Sequence, residues 1–333
     1  MAGDDIWVVG GTSVFLLLGG FLFGLGARNV WRALASPEWP RSPGIVVTSD
    51  TGSSVTKDSR TRASSRIYSA DIRFRYQAGG HEYTTDTLHF GQTAGSGDSS
   101  DAELRHARYP VGAAVTVWYN PDNPSIATVE PGFDADVLWL PGAGLAFFAP
   151  GVMFIVLYFG MSRGNGMFAL GLGMFASIFM AIGATLLTGG LVNLWRAHAS
   201  ERWPHTPGVI TYGVVDRSTS VVEDKDGDMI RSTTSGARLV YRYEVNGEKH
   251  YSNVRIFGQL AGASGDWASE IAARYPLGKT VEVAYSPGNS DLAVLEPGID
   301  REAFWLPGAG AAFLLFGLAV FVWGIPALTG SRF

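Results

Sequence analysis

The sequence predicts a membrane α-helical plus α+β protein: four transmembrane helices and two homologous small β-rich domains, barrel- or sandwich-like, in a parallel tandem repeat. Three observations predict it. Four long apolar stretches, within 6–28, 137–160, 167–194 and 304–328, carry uncharged cores. In the segments between, 31–136 and 195–303, charge returns and the hydrophobic period falls to two, the spacing of a strand with one buried face. And the whole helix–domain–helix unit occurs twice.

Each apolar stretch reaches or exceeds the ~20 residues a helix needs to cross a ~30 Å hydrocarbon core. The first differs from a signal peptide: its apolar run is longer than the typical ~7–15 residues, and Asp4 and Asp5 precede it where positive charge belongs. Gly20 and Gly24 form a small-xxx-small pair with Gly10, Gly11, Gly19 and Gly26 nearby, and Gly171, Gly173, Gly183, Gly189 and Gly190 recur in the third stretch. Residues without a Cβ let helices approach closely in lipid, which predicts packing within the four-helix set. Trp7, Trp31, Trp139, Trp195, Trp305 and Trp323 stand near the ends, where amphipathic rings favour the headgroup level.

The repeat is explicit. Trp31–Ser36 corresponds to Trp195–Ser200, Trp39–Gly44 to Trp203–Gly208, Phe90–Gln92 to Phe257–Gln259, Arg108–Pro110 to Arg274–Pro276, Glu130–Gly132 to Glu296–Gly298, and Trp139–Gly144 recurs as Trp305–Gly310. Four spans with two long excursions put both domains on one face, joined only by 161–166. The copies are therefore parallel, unlike an inverted transporter repeat, and are free to pack as a pseudo-twofold pair.

Within each domain the first strands read as 44–49 and 208–215. Ile72, Phe74 and Tyr76 alternate with arginines, as do Leu239, Tyr241 and Tyr243 with polar or smaller residues, and each run ends in a hairpin signal, Gly79-Gly80 or Asn246-Gly247. Returning strands follow at 81–90 and 249–257, helices at 99–108 and 266–274, and closing strands at 115–119 with 126–130 and 280–285 with 292–296. The turns between the closing strands are rich in Pro and Asn, which preset or tolerate turn dihedrals.

This ordered set resembles domain-of-unknown-function family 3592, found mostly in bacterial membrane proteins. The resemblance rests on Trp-Pro-x-x-Pro-Gly, the Arg/Tyr-rich hairpin, Tyr-Pro-x-Gly at 109–112 and 275–278, the Tyr-x-Pro turn and Glu-Pro-Gly leading into a span. It implies a membrane-anchored β-rich domain, twice, in a bacterial inner membrane, and brings no catalytic residues.

Composition narrows the function. Net charge is −5 overall and −3 in each domain, with no polybasic cluster, so nucleic acid is not an expected partner. The absence of cysteine removes disulfides, thiol catalysis and Cys-based metal sites. No pair among His81, His89, His106, His198, His205 and His250 has the spacing of a helical zinc motif. The glycine-rich 91–97 lacks the Lys-Ser/Thr of a phosphate loop, and the acidic run Glu223, Asp224, Asp226, Asp228 lacks the closing Glu of a calcium loop. No cofactor, metal or catalytic constellation is expected, and the chain reads as a non-enzyme. Polar residues shared by the copies are the candidates for a recurring role: Arg75 and Arg242, Gln92 and Gln259, Asp98 and Asp266, Arg108 and Arg274, Glu130 and Glu296. Internal ion pairs and caps account for them better than a ligand does.

The expected partners are the lipid bilayer and a protein partner or a second copy. Three functions fit: paired domains displayed for protein interaction or assembly, an oligomeric channel or transporter, and a ligand sensor or membrane enzyme at the domain–membrane junction. Uncharged spans weigh against ion-coupled transport, which places ionisable groups inside helices. Arg28, Arg32, Arg41, Arg196 and Arg202 on the domain side, against Arg163 and Arg332, lean towards cytoplasmic domains, although loops this long loosen the positive-inside rule. Cysteines placed at Ser99 and Ser162 would report the sidedness.

Overall fold

The computed structural model describes residues 2–57, 64–92, 95–160, 166–223, 229–259 and 267–324. In the first copy helix α1 (Ala2–Ala35) is followed by strands β1 (Arg41–Lys57), β2 (Ser64–Ala78) and β3 (His81–Thr85), helix α2 (Ser99–Arg108), strands β4 (Ala114–Tyr119) and β5 (Ala127–Thr128), and helix α3 (Trp139–Gly160). The second copy repeats the order: α4 (Gly166–Ser200), β6 (His205–Glu223), β7 (Met229–Val245), β8 (Glu248–Ser252), α5 (Trp267–Arg274), β9 (Thr280–Ser286), β10 (Asn289–Val294) and α6 (Trp305–Ala319).

Each domain is one antiparallel five-stranded sheet, ordered β3-β2-β1-β4-β5 in the first copy and β8-β7-β6-β9-β10 in the second. The hairpin turns form where Gly79-Gly80 and Asn246-Gly247 adopt positive φ, 57° and 82° in one copy and 55° and 84° in the other. A register shift between Val46 and Thr48 recurs between Ile210 and Tyr212. The alternating residues form the cores. Phe74, Tyr76, Val46 and Val117 are buried in one, and Tyr241, Tyr243, Ile210 and Val283 in the other. Beyond the short edge strands, Glu130 N donates to Leu88 O (2.7 Å) and Glu296 N to Arg255 O (2.9 Å), so the two edges of each sheet are bridged.

The central hairpins are far longer than the periodicity predicts. β1 pairs with β2 from Gly44–Tyr76 out to Lys57–Ser64, and β6 with β7 from Gly208–Tyr243 out to Glu223–Met229. The outer halves are rich in Ser, Thr and charge, and without one apolar face they carry no period-two signal. The two short helices form as expected, α2 with Asp98 as its N-cap. Asp266, expected to start the second, lies outside the described residues, as do Asp224, Asp226 and Asp228 of the acidic run.

Among the described residues three helices, Gly10–Glu38, Gly171–Ser200 and Arg301–Trp323, are long and apolar enough to cross a membrane, which is compatible with an integral membrane protein. Asp136–Val152 counts as a shorter apolar helix, so this criterion supports three of the four expected spans. α1 packs along α3, α4 along α6, and α3 against α4. The closest approaches are repeated. A Cβ on Gly19 would stand 2.5 Å from Phe148 N, and one on Gly144 2.4 Å from Phe23 N. In the second copy one on Gly183 would stand 2.5 Å from Leu314 N, and one on Gly310 2.3 Å from Leu187 N. Gly26 and Gly190 meet Pro141 and Pro307 in the same way. The expected Gly20–Gly24 pair is not the contact: Gly24 has nothing within 4 Å. The contacting glycines are seven apart, Gly19 and Gly26, a spacing that returns to the same helix face after two turns.

Among the described residues the helices thus form a row, α1-α3-α4-α6, without extended packing between α1 and α6. A twofold pair would match the α3–α4 contact with one between α6 and α1, so the pseudo-twofold expectation is corrected: the copies pack head to tail. The domains do likewise. α2 of the first copy lies on β6, β7 and β8 of the second, and among the described residues α5 has no comparable seat on the first copy's sheet.

Candidate functional site

Two repeat motifs meet in each domain. Arg108 and Tyr109, at the end of α2, reach Glu130: Arg108 Nη1 donates at 3.1 Å and the Tyr109 hydroxyl at 2.7 Å to the same Oε1. Arg274 (3.3 Å) and the Tyr275 hydroxyl (2.7 Å) hold Glu296 identically. Burial works against the charge on Arg108, but Glu130, Asp291 and Tyr109 more than offset it and raise its pKa. Burial raises Tyr109 further than it raises Tyr275, which is pushed up to about 12. Arg108 and Arg274 thus each form an ion pair within their own domain. In the first copy Arg108 also donates to Tyr251 O of the second (3.1 Å).

That bond belongs to a polar seam between the copies. Asp98 caps α2, accepting from Ser100 N at 2.9 Å, and its other oxygen accepts from Arg238 on β7. Arg238 Nε also lies 3.6 Å from Asp216 on β6, and only 10% of the Arg238 side chain is exposed. Asp216 accepts from Ser99 Oγ (2.8 Å) and from the Tyr68 hydroxyl (3.2 Å). Asn253 Nδ2 donates to Asp101 (2.8 Å). Burial raises the Asp98 pKa, opposed by the Ser100 hydroxyl bond and by Arg238. The seam therefore neutralises a nearly buried guanidinium with two carboxylates of opposite copies.

Sequence comparison of the copies picks out Asp98 and Arg108 of this seam but not their partners in the second copy, which lie where the copies differ. In strand register Arg238 corresponds to Asp71, Asp216 to Gly52, and Asn253 to Asp86. Of the other candidates, Arg75 is exposed with Glu82 at 4.0 Å, and Arg242 is exposed. Gln92 closes its own loop, accepting from Leu88 N (2.7 Å) and donating to Asp86 O (2.9 Å). The matching Gln259 has a buried Oε1 without a hydrogen-bond partner among the described residues.

Where each domain joins its helices, Ser36 Oγ donates to Ala33 O and accepts from Gly132 N (2.9 Å), and Ser200 does the same with Ala197 and Gly298 (3.0 Å). Trp39 meets Phe90 edge-on at 5.7 Å, as Trp203 meets Phe257. Asp134 caps the turn into α3, accepting from Asp136 N at 2.8 Å, and Asp300 caps the turn into α6, accepting from Glu302 N at 2.9 Å. Beyond the caps the copies diverge. The second buries Arg255 between Glu296 (2.8 Å) and Glu302 (4.0 Å). In the first, Leu88 stands in that place and the neighbouring His89 comes together with Asp134 and Asp136, one ligand atom of each lying within 4.8 Å of the others. Around both junctions Trp31, Trp139, Trp195 and Trp305 are exposed.

Neither a curated protein nor a solved structure matches the chain. A family model, the domain of unknown function DUF3592, matches it twice, at residues 42–134 and 206–300, which are the two sheet domains with their helices α2 and α5. With more than half of its length covered by these matches, the chain belongs to the DUF3592 family and carries two tandem copies of its domain.

Proposed function

We propose that the chain is a four-span membrane protein that presents its two DUF3592 domains, fixed together on one face, as a single unit for protein interaction or assembly, without catalysis. The observation that carries this reading is the seam around Arg238. Two domains needed only as separate ligand binders have no use for a buried ion network with residues found in one copy alone. A fixed pair offers one composite surface instead. Membrane insertion is supported by the apolar helices and by the exposed tryptophans at both helix–domain junctions, where rings favour the headgroup level. α3, at 22 residues, is long enough for the fourth span. A bacterial inner membrane with cytoplasmic domains is the setting this reading favours.

Crosslinking in native membranes followed by affinity purification tests it. A partner or a second copy recovered with wild type, and reduced when Arg238→Ala loosens the seam, is the expected result. Recovery of neither would remove the reading. A second reading, a ligand sensor at the domain–helix junction, is favoured by the His89, Asp134 and Asp136 cluster. The row of helices, by contrast, does not favour a pore within one chain.

A further inference from the structure

The two junctions solve one electrostatic problem differently. Each turn into the following helix carries two carboxylates, Asp134 and Asp136 or Asp300 and Glu302. The second copy answers with a cation of its own: Arg255, with 8% of its side chain exposed, bridges Glu296 and Glu302. The first copy has no arginine at that position, since Leu88 replaces it. What faces Asp134 and Asp136 is an imidazole, and the charge of Arg105 on α2 also acts on Asp136, with Asp101 opposing that effect. His89 Nδ1 is buried and has no hydrogen-bond partner among the described residues. Leaving such a nitrogen unpaired costs about 1–3 kcal/mol, which a ligand would recover.

We propose that His89, Asp134 and Asp136 form a divalent-cation site that takes the place of Arg255 at the first junction. One imidazole nitrogen and two carboxylate oxygens are a borderline donor set, suited to Zn2+ or Mn2+ with water completing the shell. A tetrahedral site with bonds of about 2 Å sets its donors roughly 3.3 Å apart. Binding would require the two exposed aspartates to rotate and bring their donors from the present spacing, within 4.8 Å, to that value. Asp134 commits Oδ1 to its cap and keeps Oδ2 for the metal. The ligands come from the segment after β3 and from the turn into α3, which are 45 residues apart between His89 and Asp134. A bound cation would therefore pin the domain to its exit helix, as Arg255 does in the second copy.

The test uses the full chain in detergent, without a polyhistidine tag and stripped with chelator, titrated with Zn2+ by calorimetry and with Mn2+ by electron paramagnetic resonance. One equivalent should bind and raise the melting temperature. His89→Gln and Asp136→Asn should each weaken binding about tenfold or more while melting like wild type in the absence of metal. Glu302→Gln, in the second copy, should leave binding unchanged. No saturable binding by wild type, or equal binding by wild type and both first-junction variants, overturns the proposal. An unchanged melting temperature on metal binding overturns the pinning role.

Discussion

Arg238 shows at the scale of one residue how a duplicated domain becomes a pair. A guanidinium this buried is stable only with its charge answered, and Asp98 and Asp216 answer it from opposite copies. Removing one partner of such a group leaves the others uncompensated, at a cost of about 3–5 kcal/mol. Arg238→Ala is expected to lower the melting temperature of the purified chain, and the triple change Arg238→Met, Asp98→Asn, Asp216→Asn to restore most of it. Melting of the triple variant as low as that of the single one would show that packing, not charge, carries the seam. A second expectation concerns tyrosine. Burial raises Tyr76 and Tyr275 to about 12 and raises Tyr109, Tyr241 and Tyr243 as well. Each binds its proton more tightly folded than unfolded. Their stabilisation is full below pH 10 and is lost as pH rises through 10 to 12. Absorbance at the phenolate band should show these five of the 12 tyrosines, together with Tyr212, which burial also raises, ionising late, along with unfolding. Residues that maintain the fold were legible because both copies keep them, as with Arg108, Glu130 and their counterparts. The second copy's side of the seam and the His89 cluster were not, because Arg238, Asp216 and His89 each occur in one copy only.

Elements were legible where one face is buried and illegible where none is. α2 was read with its true bounds, since its Asp98 cap and its amphipathic pattern are both local signals. The outer hairpin arms were missed for want of an apolar face. The helix pairs were read in part: glycine density announced close packing, but composition alone does not say which glycines face the partner. Geometry now does. A side chain at Gly19 or Gly183 would strike the backbone of α3 or α6, whereas Gly24 has room. Gly19→Leu and Gly183→Leu should each destabilise the chain by about 1–3 kcal/mol, the usual cost of overpacking, and Gly24→Leu should be close to neutral. Melting in one detergent compares the three, and equal effects at Gly19 and Gly24 would refute the backbone-contact account.

For the whole molecule the arrangement of the halves matters more than their number. Two tandem copies were legible from the order of apolar stretches and domains, but direction of pairing was not, since a twofold and a head-to-tail pair share one repeat pattern. The distinction rests on which surfaces are consumed. Pairing here uses α2 and α3 of the first copy with the sheet and α4 of the second, so the halves hold each other through contacts independent of the 161–165 connection. Chains 1–163 and 164–333, expressed together, should therefore co-purify, and Arg238→Ala in the second should weaken their association. Halves that separate in mild detergent would mean that the covalent join, not the interface, keeps the domains paired. The same Cys-free background reports sidedness, but not through Ser99, which is buried against Asp216, and Ser162 lies outside the described residues. Ser125 is exposed on the β4–β5 turn of the first domain. With the proposed cytoplasmic placement, a cysteine there, in intact cells, should escape an impermeant reagent and react once the membrane is opened. Labelling in intact cells would instead place both domains outside, because the seam keeps them on the same side.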